Sequence, residues 1–378
     1  MKVLTVVPFY PRGSHPYAGI FLHTQVKRLI EVGEITNDVL FFKQYVPKFI
    51  ARYNPRWQEI ESLPHEYIFD GIKVETREII SLPKNSSHWM ACLQMRSIIR
   101  SKIRQNNYNI IHAHFAYPYG LAAALAGKDC GVPVVITCHG SDINTLPKRT
   151  IDAQIGVRLA LTTSDKVITV SRALSESVKS IVSRSVEVIY NGVDPSVVNV
   201  EKLERIIYVG NLIKTKGIRD LITAFKKSNA TNLVLVGDGE EREFIETQAK
   251  LLPAGKSIVL LGKLENMVVR KEIAMSQILI LPSYSEGLPT VIMEAMMEGV
   301  PVVSTNVGGI PEIAHHNQNA LLVGVGNSDE LAMAINRLLE DIELREEFSD
   351  RSLRYAERNL NSVEAAKSIL NIYRSLLK

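Results

Sequence analysis

The chain has 378 residues, about twice a typical domain, so two domains of α/β size are expected. It is 46% hydrophobic and 22% charged, as ordinary globular proteins are, and no apolar run approaches the roughly 20 residues that span a bilayer. The net charge of +4 is uneven: residues 1–200 hold 23 Lys/Arg and 16 Asp/Glu (+7), residues 201–378 hold 21 and 24 (−3). The basic front half suits an anionic surface or acceptor, and nucleic acid is not expected because no recognised binding module accompanies the charge.

The opening MKVLTVVPFYP has no small-residue cleavage site and reads as a strand, Lys2 to Val7, not a signal peptide. Cys92, Cys130 and Cys138 form no C-x-x-C pair and are odd in number, which points to a reducing cytoplasmic compartment. A Pro/Gly loop follows, and Gly19 stands just ahead of a helix from about Phe21 to Val32, where ligands of open α/β sheets gather. After a strand at Val39 to Phe42, Lys43, Lys48, Arg52 and Arg56 are mixed with Phe, Tyr and Trp. Arg96, Arg100 and Arg104 then recur four apart, one basic stripe on a helix. Both stretches make an anionic membrane surface a candidate partner, and a solvated helix face is the plainer alternative.

Asp70-Gly71 is a hairpin signal within 67–80. From there strands alternate with helices: strand 109–114, helix 118–129, strand 132–138, strand 166–170, helix 172–182 and strand 186–190. That alternation argues for a doubly wound parallel sheet. His112 and His114, in HAH, are expected on alternate faces of their strand and so at no common metal; no metal site is read. His139-Gly140-Ser141-Asp142 follows a strand end, where Gly140 permits close approach and His139 can donate to an oxygen; a structural role for His139 is the plainer reading. Residues 195–204 are short and polar and read as the linker.

A second series begins at strand 206–209. Lys216 and Gly217 precede a helix with apolar Ile218, Leu221, Ile222 and Phe225, so Lys216 can reach a phosphate as a point charge. Gly237-Asp238-Gly239 lacks the third glycine of a dinucleotide fingerprint, and Lys250 stands where a P-loop before Gly255-Lys256-Ser257 would need glycine. Strand 258–261 leads to Gly262-Lys263-Leu264. The run Ile278 to Leu281 reads as a buried strand, and Pro289 stands where a helix begins. The helix N-terminus after Gly287 is an anion site, with Glu286 before it and Glu294 one turn inside. Carboxylates accept from sugar hydroxyls, so acids flanking an anion site suggest a nucleotide sugar; solvated surface acids are the alternative. Helices 328–340, 342–357 and 362–377 complete the chain.

The segments HGSD, NGVD (191–194), K-G (216–217) and E-x7-E (286–294), with VPVVSTNVGGIPEI and NALLV after them, resemble the family 4 retaining glycosyltransferases over nearly the whole chain. The resemblance implies the GT-B fold, two Rossmann-like doubly wound α/β domains facing a cleft. Residues 1–195 would form the acceptor-side domain, 196–357 the nucleotide-sugar domain, and 358–378 a helix crossing back to the first. It also implies that Gly19 lies against the donor diphosphate and that His139 hydrogen-bonds the sugar. Gly262 and Lys263 would meet the base through their main chain. Lys216 and the groups from Gly287, Leu288 and Thr290 at the helix N-terminus would hold the diphosphate. Glu286 would take sugar hydroxyls and Glu294 the ribose. Asn211 stands where the family has an Arg beside the diphosphate, a departure at the phosphate site.

The resulting expectation is metal-independent retaining transfer, by front-face attack, from a UDP- or GDP-linked sugar to a glycan or lipid-linked acceptor, with no separate cofactor. The enzyme would be cytoplasmic, peripheral on the inner face of the membrane. A nucleotide-sugar epimerase or hydrolase of the same fold, or a non-catalytic nucleotide-sugar-binding protein, stays open.

Overall fold

Apolar β-rich runs set the strands of both halves. The computed structural model describes residues 1–377 except 14, 34, 81–87 and 196–199, and gives only the backbone at 50, 55 and 56. It divides into one unit of Met1–Tyr190 with Val363–Lys378, and another of Asn191–Ser362.

In the first unit β1 (Lys2–Val7), α1 (Ile20–Gly33) and β2 (Thr36–Gln44) are followed by two short helices, α2 (Lys48–Ala51) and α3 (Pro55–Ser62). A hairpin, β3 (Glu66–Phe69) and β4 (Ile72–Ile79), leads to α4 (His88–Gln105) and β5 (Ile110–His114). Then come α5 (Leu121–Cys130), β6 (Val134–Cys138), α6 (Ser141–Asn144), α7 (Ile151–Thr163), β7 (Lys166–Thr169), α8 (Arg172–Ile181) and β8 (Glu187–Val188). The sheet order is β3-β4-β2-β1-β5-β6-β7-β8, parallel except for β3 against β4. Asp70 (φ 47°) and Gly71 (φ 76°) make the tight turn of that hairpin, as their dipeptide foretold.

The second unit runs β9 (Ile206–Val209), α9 (Ile218–Lys227), β10 (Asn232–Val236), α10 (Arg242–Ala249), β11 (Ser257–Gly262), α11 (Asn266–Ala274) and β12 (Ile278–Leu281). It continues through α12 (Thr290–Met297), β13 (Val302–Thr305), β14 (Ala320–Val323), α13 (Ser328–Glu340) and α14 (Ile342–Asn359). Its six strands lie in the order β11-β10-β9-β12-β13-β14, with every pairing parallel. The final helix, α15 (Ser362–Leu376), belongs to the first unit from Val363 onward. There Ala366, Ile369, Leu370 and Tyr373 share a core with Val3, Leu29, Ile110, Val135 and Ile168. Each large apolar side chain so buried stabilises by roughly 1.5–3 kcal/mol.

Several local readings change. The expected helix 118–129 starts at Leu121, because Ala116–Gly120 is a π turn. The strand expected over 186–190 is two residues long. Pro289 sits one position ahead of α12, with extended ψ 117°. Residues 151–163, which carry no strong apolar period, form α7: Ala153, Gly156, Val157, Ala160 and Leu161 bury one face at helical spacing, and the Thr150 side chain accepts from Ala153 N. Those small residues make a weak apolar signal, but the cap was readable.

The basic stretches are also less free than expected. Lys43 is buried, and its ammonium donates to the carbonyls of Ile60, Glu61 and Leu63. Arg96 grips Asp129 with two 2.8 Å hydrogen bonds, and Arg100 lies 4.0 Å from the same carboxylate. The side chain of Arg56 lies outside the described residues.

His112 and His114 do not face opposite ways. Two residues apart on β5, they share a face; their rings stack with centroids 4.5 Å apart, both fully buried. Burial pushes the His112 imidazole down to about 3 and holds His114 well below its ordinary value, with the neighbouring histidines adding to the effect. Unfolded, each ring takes up a proton near pH 6.5, while the folded rings resist it. The unfolded chain therefore binds more protons as pH falls below about 6.5, and the first unit should lose up to about 1.4 kcal/mol per pH unit for each ring. Denaturant unfolding followed between pH 6.5 and 5, above most carboxylate titration, checks this; a flat stability across that window contradicts it.

Candidate active site

In the second unit the strand order reverses between β9 and β12. The connections after these strands depart in opposite directions, and the gap between them is where open α/β sheets hold ligands. Lys214–Lys216 form one tight turn after β9, with Gly217 capping α9; Pro282 to Pro289 link β12 to α12. The two connections are tied together. Tyr284 N donates to Thr215 O at 3.0 Å, and the Tyr284 hydroxyl donates to Asp220 at 2.8 Å. Gly217 has φ +69°, and a Cβ there would stand 2.0 Å from the Pro282 carbonyl oxygen. Gly308 has φ +55°, and a Cβ there would meet the Glu286 carbonyl oxygen at 1.9 Å. Glycine is the residue both the dihedral and the close approach allow.

This locking brings two sequence-selected residues into contact. Lys216 Nζ donates to Glu286 Oε1 at 2.6 Å, and Ser283 Oγ donates to the same oxygen at 2.7 Å. The lysine side chain is 25% exposed and the glutamate 10%, so the pair remains within reach of a ligand. Glu294, in the second turn of α12, is no surface acid: it is buried and accepts from Asn266 Nδ2 at 2.8 Å. Burial pushes its carboxyl up, opposed by the Asn266 hydrogen bond and by Arg270. Leu288 is buried, Gly287 O accepts from Gly309 N at 2.9 Å, and Thr290 is the first residue of α12. Asn211 is exposed after β9, and its carbonyl accepts from the Tyr208 hydroxyl. Gly262 ends β11 and Lys263 follows, exposed. Ser283 and Asn266 went unread in the sequence. Ser283, three residues before Glu286, was within reach of local inspection, whereas Asn266 on α11 carries no spacing signal.

The first unit carries the other two selected residues. Gly19 ends the loop after β1 and immediately precedes α1, its carbonyl accepting from Leu22 N and His23 N. His139 follows β6. Its ring lies 4.7 Å from that of Phe115 and 5.1 Å from that of Phe21, and its Nε2 faces His114 Nδ1 at 3.0 Å. Asp142 builds this loop: its carboxylate, fully within the protein, accepts from the main-chain N–H groups of Ala116, His139 and Gly140. Desolvation, with His112 adding to it, pushes His139 down to about 3, so the ring is neutral at physiological pH. Phe115, with φ 69°, holds a strained conformation beside it, as happens at functional sites. Among the described residues, no three of His, Cys, Asp and Glu cluster as metal ligands would.

The model of the glycosyl transferases group 1 family matches residues 194–354, and that of glycosyltransferase family 4 matches 51–197. TuaC of Bacillus subtilis, provisionally named as a teichuronic acid biosynthesis glycosyltransferase, is 28% identical over 100% of this chain and 99% of its own. N-acetyl-alpha-D-glucosaminyl L-malate synthase of Bacillus anthracis is 30% identical over 76% of this chain and 80% of its own. An uncharacterized glycosyltransferase of Methanocaldococcus jannaschii is 30% identical over 95% and 94%. Among solved structures, sucrose-phosphate synthase from Thermosynechococcus elongatus superposes with a TM-score of 0.79 at 18% identity, covering 100% of this chain and 99% of that one. Anabaena HepE, crystallised in complex with UDP-glucose, gives 0.74 at 21%, covering 99% and 100%. Two parallel sheets, each with helices between its strands, and relatives matched over most of their length agree: the chain is a member of the group 1 glycosyltransferases and has the GT-B fold.

Proposed function

We propose that the enzyme transfers a sugar, with retention, from a nucleoside-diphosphate donor to a hydroxyl acceptor on a lipid-linked or polysaccharide intermediate of a cell-surface glycan. The Lys216–Glu286 pair, 2.6 Å apart where the strand order of the second unit reverses, carries this reading. An arriving diphosphate offers Lys216 a stronger partner than one carboxylate does, because two adjacent phosphates concentrate more negative charge. The exchange leaves Glu286, still held by Ser283, to accept from sugar hydroxyls. As the sugar–phosphate bond breaks, Lys216 and the N–H groups at the start of α12 face the growing negative charge. Glu294 takes the ribose hydroxyls with its carboxylate oriented by Asn266, Gly262 and Lys263 line the base, and Gly19 and His139 serve the diphosphate and the sugar. The acceptor attacks from the face the diphosphate leaves, and a phosphate oxygen receives its proton. These steps use no divalent metal.

Support comes from outside the chain as well. HepE, which shares the fold, is crystallised with UDP-glucose, and TuaC is described in teichuronic acid biosynthesis. A thermal-shift panel of UDP, GDP and ADP sugars identifies the donor, since a ligand stabilises the fold as it occupies its site. With that donor, Lys216→Ala should lower the transfer rate about 10²-fold or more in a variant that still folds. A variant as active as wild type removes the role given to Lys216. Product NMR decides the stereochemistry, and an inverted anomeric carbon rules out front-face transfer. The rate should persist in a chelator; its loss there, with recovery on adding a divalent cation, contradicts the metal-free route.

Membrane attachment belongs to α2 and α3. No helix among the described residues is long and apolar enough to cross a membrane. Phe49 and Tyr53 are 66% and 73% exposed, Tyr45 and Trp57 are exposed beside them, and Lys48 and Arg52 stand among them. Aromatic rings settle at the headgroup level, and each cation near an anionic leaflet adds about 1 kcal/mol. Flotation with anionic vesicles should recover the wild type and not Phe49→Asp/Tyr53→Asp. Equal recovery with neutral and anionic vesicles, or none with either, ends this reading.

A further inference from the structure

Behind His139 lies a buried column of polar side chains reaching the last helix. The Tyr373 hydroxyl, on α15, is 2.6 Å from His112 Nδ1; His112 Nε2 is 2.7 Å from Thr137 Oγ1. His114 stacks on His112, and its Nδ1 is 3.0 Å from His139 Nε2. His114 Nε2 is buried without a hydrogen-bond partner among the described residues.

These contacts assign the protons. Tyr373 is fully buried with a proton it does not release, so its hydroxyl donates to His112 Nδ1, and His112 donates through Nε2–H to Thr137. For His114 there are two arrangements. With the proton on Nε2, a buried N–H would be left with no acceptor; with the proton on Nδ1, only a lone pair is left over. An orphaned buried N–H is the rarer and costlier case. His114 therefore donates Nδ1–H to His139 Nε2, and the single proton of neutral His139 must sit on Nδ1. His139 Nδ1 has no hydrogen-bond partner among the described residues, so that N–H remains available for a ligand oxygen.

We propose that His114 is a positioning residue that fixes the tautomer of His139, holding its proton on Nδ1 so that the ring meets the donor as a hydrogen-bond donor. The proposal rests on the reading of His139 as the ring that touches the sugar. The column behind it favours this choice: a flipped His114 ring would lose its 3.0 Å contact with His139, and His112 is pinned at both nitrogens.

The experiment is nitrogen NMR of histidine-labelled full-length protein, with His139→Ala used to identify the His139 signals, alongside steady-state kinetics. In the wild type, His139 should show a protonated Nδ1 and a bare Nε2, the reverse of the tautomer that dominates in water. His114→Phe, which keeps a ring in the stack and removes the donor, should shift His139 to the Nε2–H form and lower kcat roughly tenfold, one net hydrogen bond's worth, with the donor KM little changed. His114→Gln, which restores an N–H donor, should recover both the tautomer and most of the rate. A wild-type His139 protonated on Nε2 overturns the proposal even if His114→Phe does not fold. An unchanged His139 tautomer in a folded His114→Phe also overturns it. If His139→Ala transfers sugar at the wild-type rate, the reading of His139 fails, while the tautomer measurement still stands by itself.

Discussion

A parallel sheet whose strand order reverses leaves one gap that no crossover connection covers. In the second unit that gap opens between β9 and β12, and the Lys216–Glu286 pair forms on the connections that leave these strands. The N-termini of α9 and α12 follow these two strands, each carrying the positive end of its helix dipole. The locking of Gly217 against Pro282, and of Gly308 against Glu286, fixes the distance between the two connections. Without those contacts Lys216 and Glu286 would be two long, mobile side chains with little reason to meet.

The two charges thus neutralise one another. An uncompensated lysine in a half-buried crevice would be costly, and so would a lone glutamate; together, with Ser283, they satisfy one another. Glu294 is held differently. It is buried inside α12 with one amide partner, and burial favours its protonated form. Of two acids eight positions apart, one belongs to a partly exposed ion pair and the other is buried beside an amide. Close in sequence, they sit in different electrostatic environments.

Strand runs were the most legible feature, because buried parallel strands read as unbroken Val, Ile and Leu. The alternation of those runs with helices was enough for the fold class. Contacts between elements were not legible. Lys216 and Glu286 are 70 positions apart, and nothing in their spacing says that β9 and β12 are neighbours; that requires the strand order. The 151–163 helix escaped because its inward face is Ala, Gly, Val, Ala, Leu, too small to show a strong period. For His112 and His114 the strand period decides the face. Residues two apart share a strand face, so HAH already placed both rings on one side.

The docking of Tyr373 and its neighbours on α15 has a consequence for how the protein is made. Residues 3, 29, 110, 135 and 168 wait for Ala366, Ile369, Leu370 and Tyr373 before their core is complete. The unit that leaves the ribosome first therefore closes last, after the intervening unit of 191–362 has been synthesised whole. Until translation reaches the final helix, the nascent chain carries an open apolar seam, a surface for chaperones to shield.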